Sequence, residues 1–189
     1  MPFPISVNRV STQQRALAPE ISTWPDQNPQ LIGSRCGACG ATTFPVAGLL
    51  GGNNDWDPDG PRKPLMTEAQ VRKVAEAGFE IGSHGMRHVS LPGIPPAALA
   101  AEAAESRAIL RAISGQDVAG FCYPFGHVDA AAVEAARAAG YSYGCGIWRT
   151  PETGVFSIPR AFVDDHDYPL HLFAKEIKHL LTWGYSWAY

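Results

Sequence analysis

The sequence has no excess of basic residues, no long hydrophobic run and few cysteines, and each absence excludes a class of protein. Its 15 Lys and Arg against 18 Asp and Glu leave a net charge of −3, which gives no electrostatic basis for binding nucleic acid or an anionic membrane. No apolar run reaches the roughly 20 residues of a membrane span. The first four residues, Met-Pro-Phe-Pro, lack the basic patch and apolar core of a signal peptide, so a cytoplasmic location is expected.

What is present indicates a folded chain with an appended segment. Hydrophobic residues make up 46% of the sequence and charged residues 17%, which is typical of a globular protein. Residues 1–30 are polar, contain five prolines and follow no helical or strand period. We therefore expect an irregular N-terminal arm over residues 1–41 and a folded domain over residues 42–189.

The arm carries one cysteine motif, Cys36-x-x-Cys39 followed by Gly40. This spacing forms half of a zinc site, since a structural zinc ion takes four ligands. Residues 31–45 resemble half of the zinc ribbon that opens the OB-fold proteins associated with acyl-CoA metabolism, which carry a second CxxC. The other two cysteines of this chain lie in predicted core strands. Cys36 and Cys39 are thus a possible second metal half-site, and a turn without metal is the alternative.

From residue 42 onward, strand and helix patterns alternate, which predicts parallel strands joined by crossover helices. Five strands and four helices are too few for a closed eight-fold barrel, so we expect an incomplete barrel or an open α/β sheet. The apolar stripe of the last helix is expected to be core. The predicted strands span 42–50, 79–82, 118–123, 141–147 and 156–163, and the stripe consists of Leu170, Phe173, Ala174, Ile177 and Leu181.

The first indication of a functional site is a pair of histidines four residues apart, His84 and His88, directly after the apolar run 79–82. Ligands and catalytic groups collect at the carboxyl ends of parallel strands. Two imidazoles placed there can turn their nitrogens toward one divalent metal ion. The alternative is a polar loop whose histidines are satisfied by the backbone.

Three motifs in order resemble the NodB-type polysaccharide deacetylases over residues 45–175. The first is the stretch 77–88, whose histidine pair matches the family's H-[ST]-x-x-H with Gly85 in place of Ser or Thr. The second is Phe-Cys-Tyr-Pro-Phe-Gly at 121–126, and the third is the Asp-capped helix that ends in Ala-Gly-Tyr at 139–141. The resemblance implies a distorted (β/α) barrel and metal-dependent removal of acetyl groups from an N-acetylated carbohydrate.

The resemblance also implies roles for individual residues. His84 and His88 would hold a divalent metal ion, expected to be zinc, which lowers the pKa of a bound water. Phe125 takes the tyrosine position of the family's R-x-P-Y loop, so its backbone N–H would be the oxyanion donor. Cys122 takes the arginine position, and we expect it to be a small buried hydrophobe.

The chain departs from the family at its front, because the strand with the T-F-D-D motif is missing. That motif supplies the general base and the third metal ligand. Asp55 is the candidate replacement for the third ligand, with Asp57 beside it and Asp164, Asp165 and Asp167 on a later loop as alternatives. The family's general-acid motif has no clean match either. His166 is the best stand-in, and His127 is a second candidate.

Two further readings stay open beside the predicted hydrolase of non-peptide carbon–nitrogen bonds. One is a catalytically impaired deacetylase remnant that binds carbohydrate or protein, and the other is a zinc-ribbon interaction module. A domain without its first strand exposes a strand edge, so self-association through that edge is a possible further property.

Overall fold

The computed structural model describes residues 33–34, 42–147, 154–160 and 167–183. In these ranges it contains six short strands and four α-helices, with 3₁₀ turns at Ala47–Leu49 and Pro124–Gly126. The elements are β1 Gly33–Ser34, β2 Thr42–Thr43, α1 Glu68–Glu76, β3 Glu80–Ile81, α2 Pro96–Ser114, β4 Gly120–Cys122, α3 Ala130–Ala138, β5 Tyr143–Gly146, β6 Ile158–Pro159 and α4 Pro169–Trp183.

The strands from β2 onward are parallel and lie beside their sequence neighbours. β2 pairs with β3, and β4 pairs with β5, which pairs in turn with β6. A parallel bridge between Ser83 and Phe121 joins the end of β3 to β4. Such pairing requires a crossover between strands, and α1, α2 and α3 supply the crossovers. The prediction of an α/β fold with parallel strands is confirmed.

Capping residues define one end of each of the helices α1, α2 and α3. Thr67 and Gln70 form a reciprocal capping box at the start of α1, which satisfies two backbone N–H groups that the first turn leaves unpaired. Gly115 ends α2 in the left-handed conformation that glycine adopts most easily. Asp129 accepts a hydrogen bond from the Ala132 N–H at the start of α3. These capping residues are local signals that the sequence itself carries.

The core contains the strand β4 and the buried faces of α1, α2 and α3. α2 packs against α1 and α3, and Phe121 in β4 is fully buried, with its ring 5.3 Å from Tyr123 and 5.0 Å from Tyr141. Cys122 clusters with Phe44 and Cys145. Burial raises the pKa of the Cys122 thiol to about 12, so this residue is the buried hydrophobe that the sequence predicted.

The predicted strand over residues 42–50 is wrong beyond Thr43. Pro45 has no N–H to donate to a strand ladder, and Ala47–Leu49 is a 3₁₀ turn. The N–H groups of Ala47 and Gly48 instead donate to the carbonyls of Gly85 and Met86, at 2.9 and 3.0 Å. The chain after β2 is therefore hydrogen-bonded to the histidine loop rather than to a neighbouring strand.

The predicted burial of the last helix is also wrong. The apolar residues of α4 face solvent, with Leu170 and Leu181 each more than 70% exposed. A helical period identifies an apolar face but does not say that another element covers it. In the described part of the chain, no helix is long and apolar enough to cross a membrane.

Two predictions concern the edges of the sheet. β6, which contains Pro159, pairs only with β5 among the described strands, as expected for a strand that carries proline. At the other end, β1 pairs antiparallel with β2, so residues 33–34 form a short strand inside the segment expected to be irregular. Residues 1–32 and 35–41, which include the rest of the predicted arm, lie outside the described residues.

Candidate metal centre

His84 lies at the carboxyl end of β3, in a position that backbone hydrogen bonds define from two sides. The Ser83 N–H donates to the Gly120 carbonyl at 2.9 Å, and the Cys122 N–H donates to the Ser83 carbonyl at 2.8 Å. The His84 N–H donates to the Pro45 carbonyl at 3.0 Å. His84 therefore lies between the ends of neighbouring strands, where the sequence placed it, and its side chain is buried.

One ring nitrogen of His84 makes a hydrogen bond to the backbone, and the other keeps its lone pair. Nδ1 lies 2.6 Å from the carbonyl oxygen of Cys122. Since a carbonyl only accepts, Nδ1 carries the proton and Nε2 carries the lone pair. Burial and, to a smaller extent, the neighbouring His88 together lower the pKa of His84 from 6.5 to about 3. A neutral imidazole held by a backbone carbonyl through one nitrogen is the arrangement in which histidine binds metal ions.

His88 is held beside His84 by aromatic contacts. Its ring centroid lies 4.8 Å from that of His84, 4.1 Å from Trp56 in a stacked arrangement and 4.6 Å from Phe125 in an edge arrangement. Its Nδ1 is buried without a hydrogen-bond partner among the described residues. Burial lowers its pKa to about 4. The backbone of His88 has φ +56°, a strained conformation that recurs at functional sites.

The separation of the two rings allows a shared metal ion. With metal–nitrogen distances of about 2.0–2.1 Å and tetrahedral angles, two imidazole centroids lie about 5 Å apart. The observed 4.8 Å agrees with that separation. The orphaned, buried Nδ1 of His88 and the neutral state of both rings agree with a ligand role as well.

Within the described ranges, no third ligand joins this pair. Among the described residues, no group of three His, Cys, Asp or Glu side chains could hold a metal ion. Asp55, the candidate third ligand, is exposed and lies 3.7 Å from the Arg62 guanidinium instead. A turn-rich loop offers its carboxylates to solvent and to nearby cations, and Asp55 follows that rule.

Phe125 adjoins the histidine pair and has an available main-chain donor. Its backbone is left-handed, with φ +56°, inside the turn Pro124–Gly126. The N–H groups of Gly126 and His127 donate to the carbonyls of Tyr123 and Pro124. None of the hydrogen bonds found in the described ranges uses the Phe125 N–H. Its role as the oxyanion donor stays a prediction.

A guanidinium lies near the site although the arginine position of the loop holds Cys122. Arg160, which directly follows β6, donates from Nη2 to the Tyr123 carbonyl at 3.1 Å. Its charge lowers the pKa of both His84 and His88, after the larger effect of burial. Its Nε is buried and has no partner in the described part of the chain. Sequence reasoning missed this residue, because nothing local connects residue 160 with residue 123.

A second missed residue, Glu102, lies under the histidine loop. Its carboxylate is fully buried and accepts from the Met86 N–H at 2.7 Å, the Arg87 N–H at 3.2 Å and the Arg87 Nε at 2.7 Å. One helical turn further on, Ser106 lies 2.8 Å from the Ser83 hydroxyl. The sequence contained a signal for both, since Glu102 and Ser106 lie on the same face of α2 as its apolar residues.

The remaining candidates are placed as follows. His127 is exposed, its Nδ1 lies 3.0 Å from the Ser90 hydroxyl, and its ring centroid is 5.9 Å from that of Phe125. His166, the first candidate for the general acid, and the cysteine pair Cys36 and Cys39 lie outside the described residues.

The fold and site together define an α/β protein with a histidine pair at the carboxyl ends of its parallel strands. The chain belongs to the polysaccharide deacetylase family, whose model matches residues 37–144. The Bacillus subtilis protein YxkH is 30% identical over 82 residues, which cover 43% of this chain and 29% of YxkH.

Solved structures show the same fold at low identity. The Streptococcus pyogenes deacetylase PplD, in complex with acetate, aligns with a TM-score of 0.56 and 20% identity over 71% of this chain and 57% of PplD. A de-N-acetylase from Aggregatibacter actinomycetemcomitans aligns with a TM-score of 0.56 and 16% identity over 71% and 64% of the two chains. The chain thus spans less than a third of its curated relative and under two thirds of these structures.

Proposed function

We propose that this chain is a hydrolase that removes acetyl groups from an N-acetylated carbohydrate, on an incomplete (β/α) barrel, with a divalent metal ion held by His84 and His88. The observation that carries the proposal is the geometry of that pair. Two neutral, buried imidazoles lie at a separation that allows a shared metal ion, and this supports the proposal. Family membership supplies the substrate class and the reaction.

Two further roles, the oxyanion donor and the general acid, have candidates in this chain. When bound, the metal ion would activate water and polarise the acyl oxygen. The Phe125 N–H would donate to the negative charge that develops on that oxygen. The leaving amine needs a proton, which a histidine supplies. His127 is a candidate that the structure places near Phe125, and His166 remains the candidate from the sequence.

The substrate proposal is tested by acetate release. The full chain, loaded with zinc or cobalt, should release acetate from N-acetylglucosamine oligomers. Removal of the metal by a chelator should abolish the release, and re-addition should restore it. A His84→Ala/His88→Ala variant should lose at least about 100-fold in rate, because it retains neither proposed ligand. Release that continues at the parent rate in that variant would contradict the proposal.

A second candidate function is carbohydrate binding without turnover. The observation in its favour is that no third ligand joins the histidine pair in the described part of the chain. Titration calorimetry with the same oligomers separates the two candidates. Binding with full metal occupancy and no acetate release would favour the binding domain, whereas release would exclude it.

A further inference from the structure

Glu102 of α2 makes hydrogen bonds to the loop that carries both histidines. Between His84 and His88, the N–H groups of Met86 and Arg87 point at a single carboxylate oxygen of Glu102. The other oxygen accepts from the Arg87 side chain. Three charge-assisted hydrogen bonds thus converge on a carboxylate that is fully buried, and such bonds are the strong ones.

Burial of the Glu102 carboxylate costs free energy, and the hydrogen bonds from the loop offset this cost. A buried carboxylate without partners is strongly unfavourable, so its burial is tolerated only while the donors stay in place. The outer part of the Arg87 side chain is 61% exposed, whereas both backbone donors belong to the loop itself. The arrangement therefore fixes the loop backbone, and not only one side chain.

The contact between Glu102 and the histidine loop requires a residue without a side chain at position 85, and Gly85 meets this requirement. Its backbone has φ +78°, and a Cβ added there would lie 2.9 Å from Oε2 of Glu102. A side chain at this position would be strained and would also press on the carboxylate. The family's Ser or Thr at this place is thus replaced by the residue that leaves Glu102 room to reach the Met86 N–H.

The hydrogen bonds of Glu102 affect the proposed metal site because they hold the loop next to His88. His88 has the left-handed backbone that turns its ring toward His84, and a strained conformation persists only where its surroundings determine it. The hydrogen bonds of Glu102 to residues 86 and 87 directly precede that position. We propose that Glu102 is a positioning residue that holds the histidine loop in its metal-binding conformation. This inference rests on the proposed metal-binding function.

A Glu102→Gln variant tests the proposal, because Gln keeps the volume but replaces one acceptor oxygen with a donor NH₂. Zinc affinity of the full chain, measured by competition with a chromogenic chelator, should fall by about 10-fold or more, as expected when groups that orient metal ligands are altered. Hydrogen exchange of the metal-free chain should become faster at the amides of Met86 and Arg87.

A matched control separates positioning from general stability. Leu110 lies on the same helix, is fully buried and has no part in the loop contacts. Leu110→Ala should lower the unfolding midpoint but leave zinc affinity within about twofold, since the loop contacts remain intact. If Leu110→Ala weakens zinc binding as much as Glu102→Gln does, metal affinity follows stability alone and the positioning role is wrong.

A second variant covers the case in which Glu102→Gln does not fold. Gly85→Ala leaves the core intact and displaces the carboxylate from the loop side. It should reproduce the faster exchange and the weaker zinc binding. Unchanged exchange at the Met86 and Arg87 amides in the folded variants would overturn the positioning role, even if zinc binds. Parent protein that binds no zinc, with exchange accelerated by Glu102→Gln, would instead refute the metal site and leave the loop anchor standing.

Discussion

Phe121→Ala is expected to lower the free energy of unfolding by about 3–5 kcal/mol, the usual cost of truncating a fully buried phenylalanine. Phe121 is fully buried in β4. Its ring contacts Tyr123 and Tyr141, and its backbone bridges to Ser83. The truncation would leave a cavity between the sheet and α2, because close-packed surroundings relax only partly. Urea denaturation followed by circular dichroism measures the change.

Phe125→Ala is the control for this prediction. The two phenylalanines are four residues apart, but Phe125 is 43% exposed. Its truncation removes little buried area and should cost less than about 1 kcal/mol. Equal losses in the two variants would show that β4 is not the centre of the core, and would contradict the parallel arrangement built around it.

Acidification of the metal-free protein should also have a large effect. The pKa values of His84 and His88 are lowered from 6.5 to about 3 and about 4. Between pH 6.5 and those values, the unfolded chain binds protons that the folded chain does not. The free energy of unfolding therefore holds above pH 6.5 and falls as the pH drops below it. Between pH 7.5 and pH 5 we expect a loss of about 1–2 kcal/mol for each histidine.

The control for this experiment removes the titrating groups. A His84→Gln/His88→Gln variant, denatured at the same pH values with a chelator present, should show a flatter pH dependence than the parent. The difference between the two curves isolates the histidines from the carboxylates that also titrate. Parallel curves would mean that the two imidazoles are accessible to water and protonate normally in the folded protein.

The ends of the helices were predictable because single residues determine them. Thr67 with Gln70, Gly115 and Asp129 each satisfy or terminate a backbone hydrogen-bond ladder locally. The extent of the first predicted strand was not predictable, because residues 44–50 are as apolar as a strand. Their N–H groups find partners in the loop at residues 85 and 86, about 40 positions further along the chain. Local pattern cannot foresee that partner.

Some residues of the candidate site were predictable from the sequence and others were not. His84 and His88 follow the apolar run 79–82, so the α/β rule predicted a site there from the sequence, and the family resemblance added Phe125. Glu102 was missed because a charged residue on a helix is expected to face solvent, and its partners are backbone groups on a distant loop. Trp56, stacked on His88, lies in a polar, proline-rich loop whose path no period predicts.

X-ray absorption of the full chain with one equivalent of zinc tests the histidine site most directly. The account predicts a first shell of nitrogen and oxygen at about 2.0–2.1 Å with imidazole scattering, unchanged by Cys36→Ser/Cys39→Ser. A first shell dominated by sulfur at about 2.3 Å, which disappears in that cysteine variant, would place the metal on the CxxC motif and contradict the account.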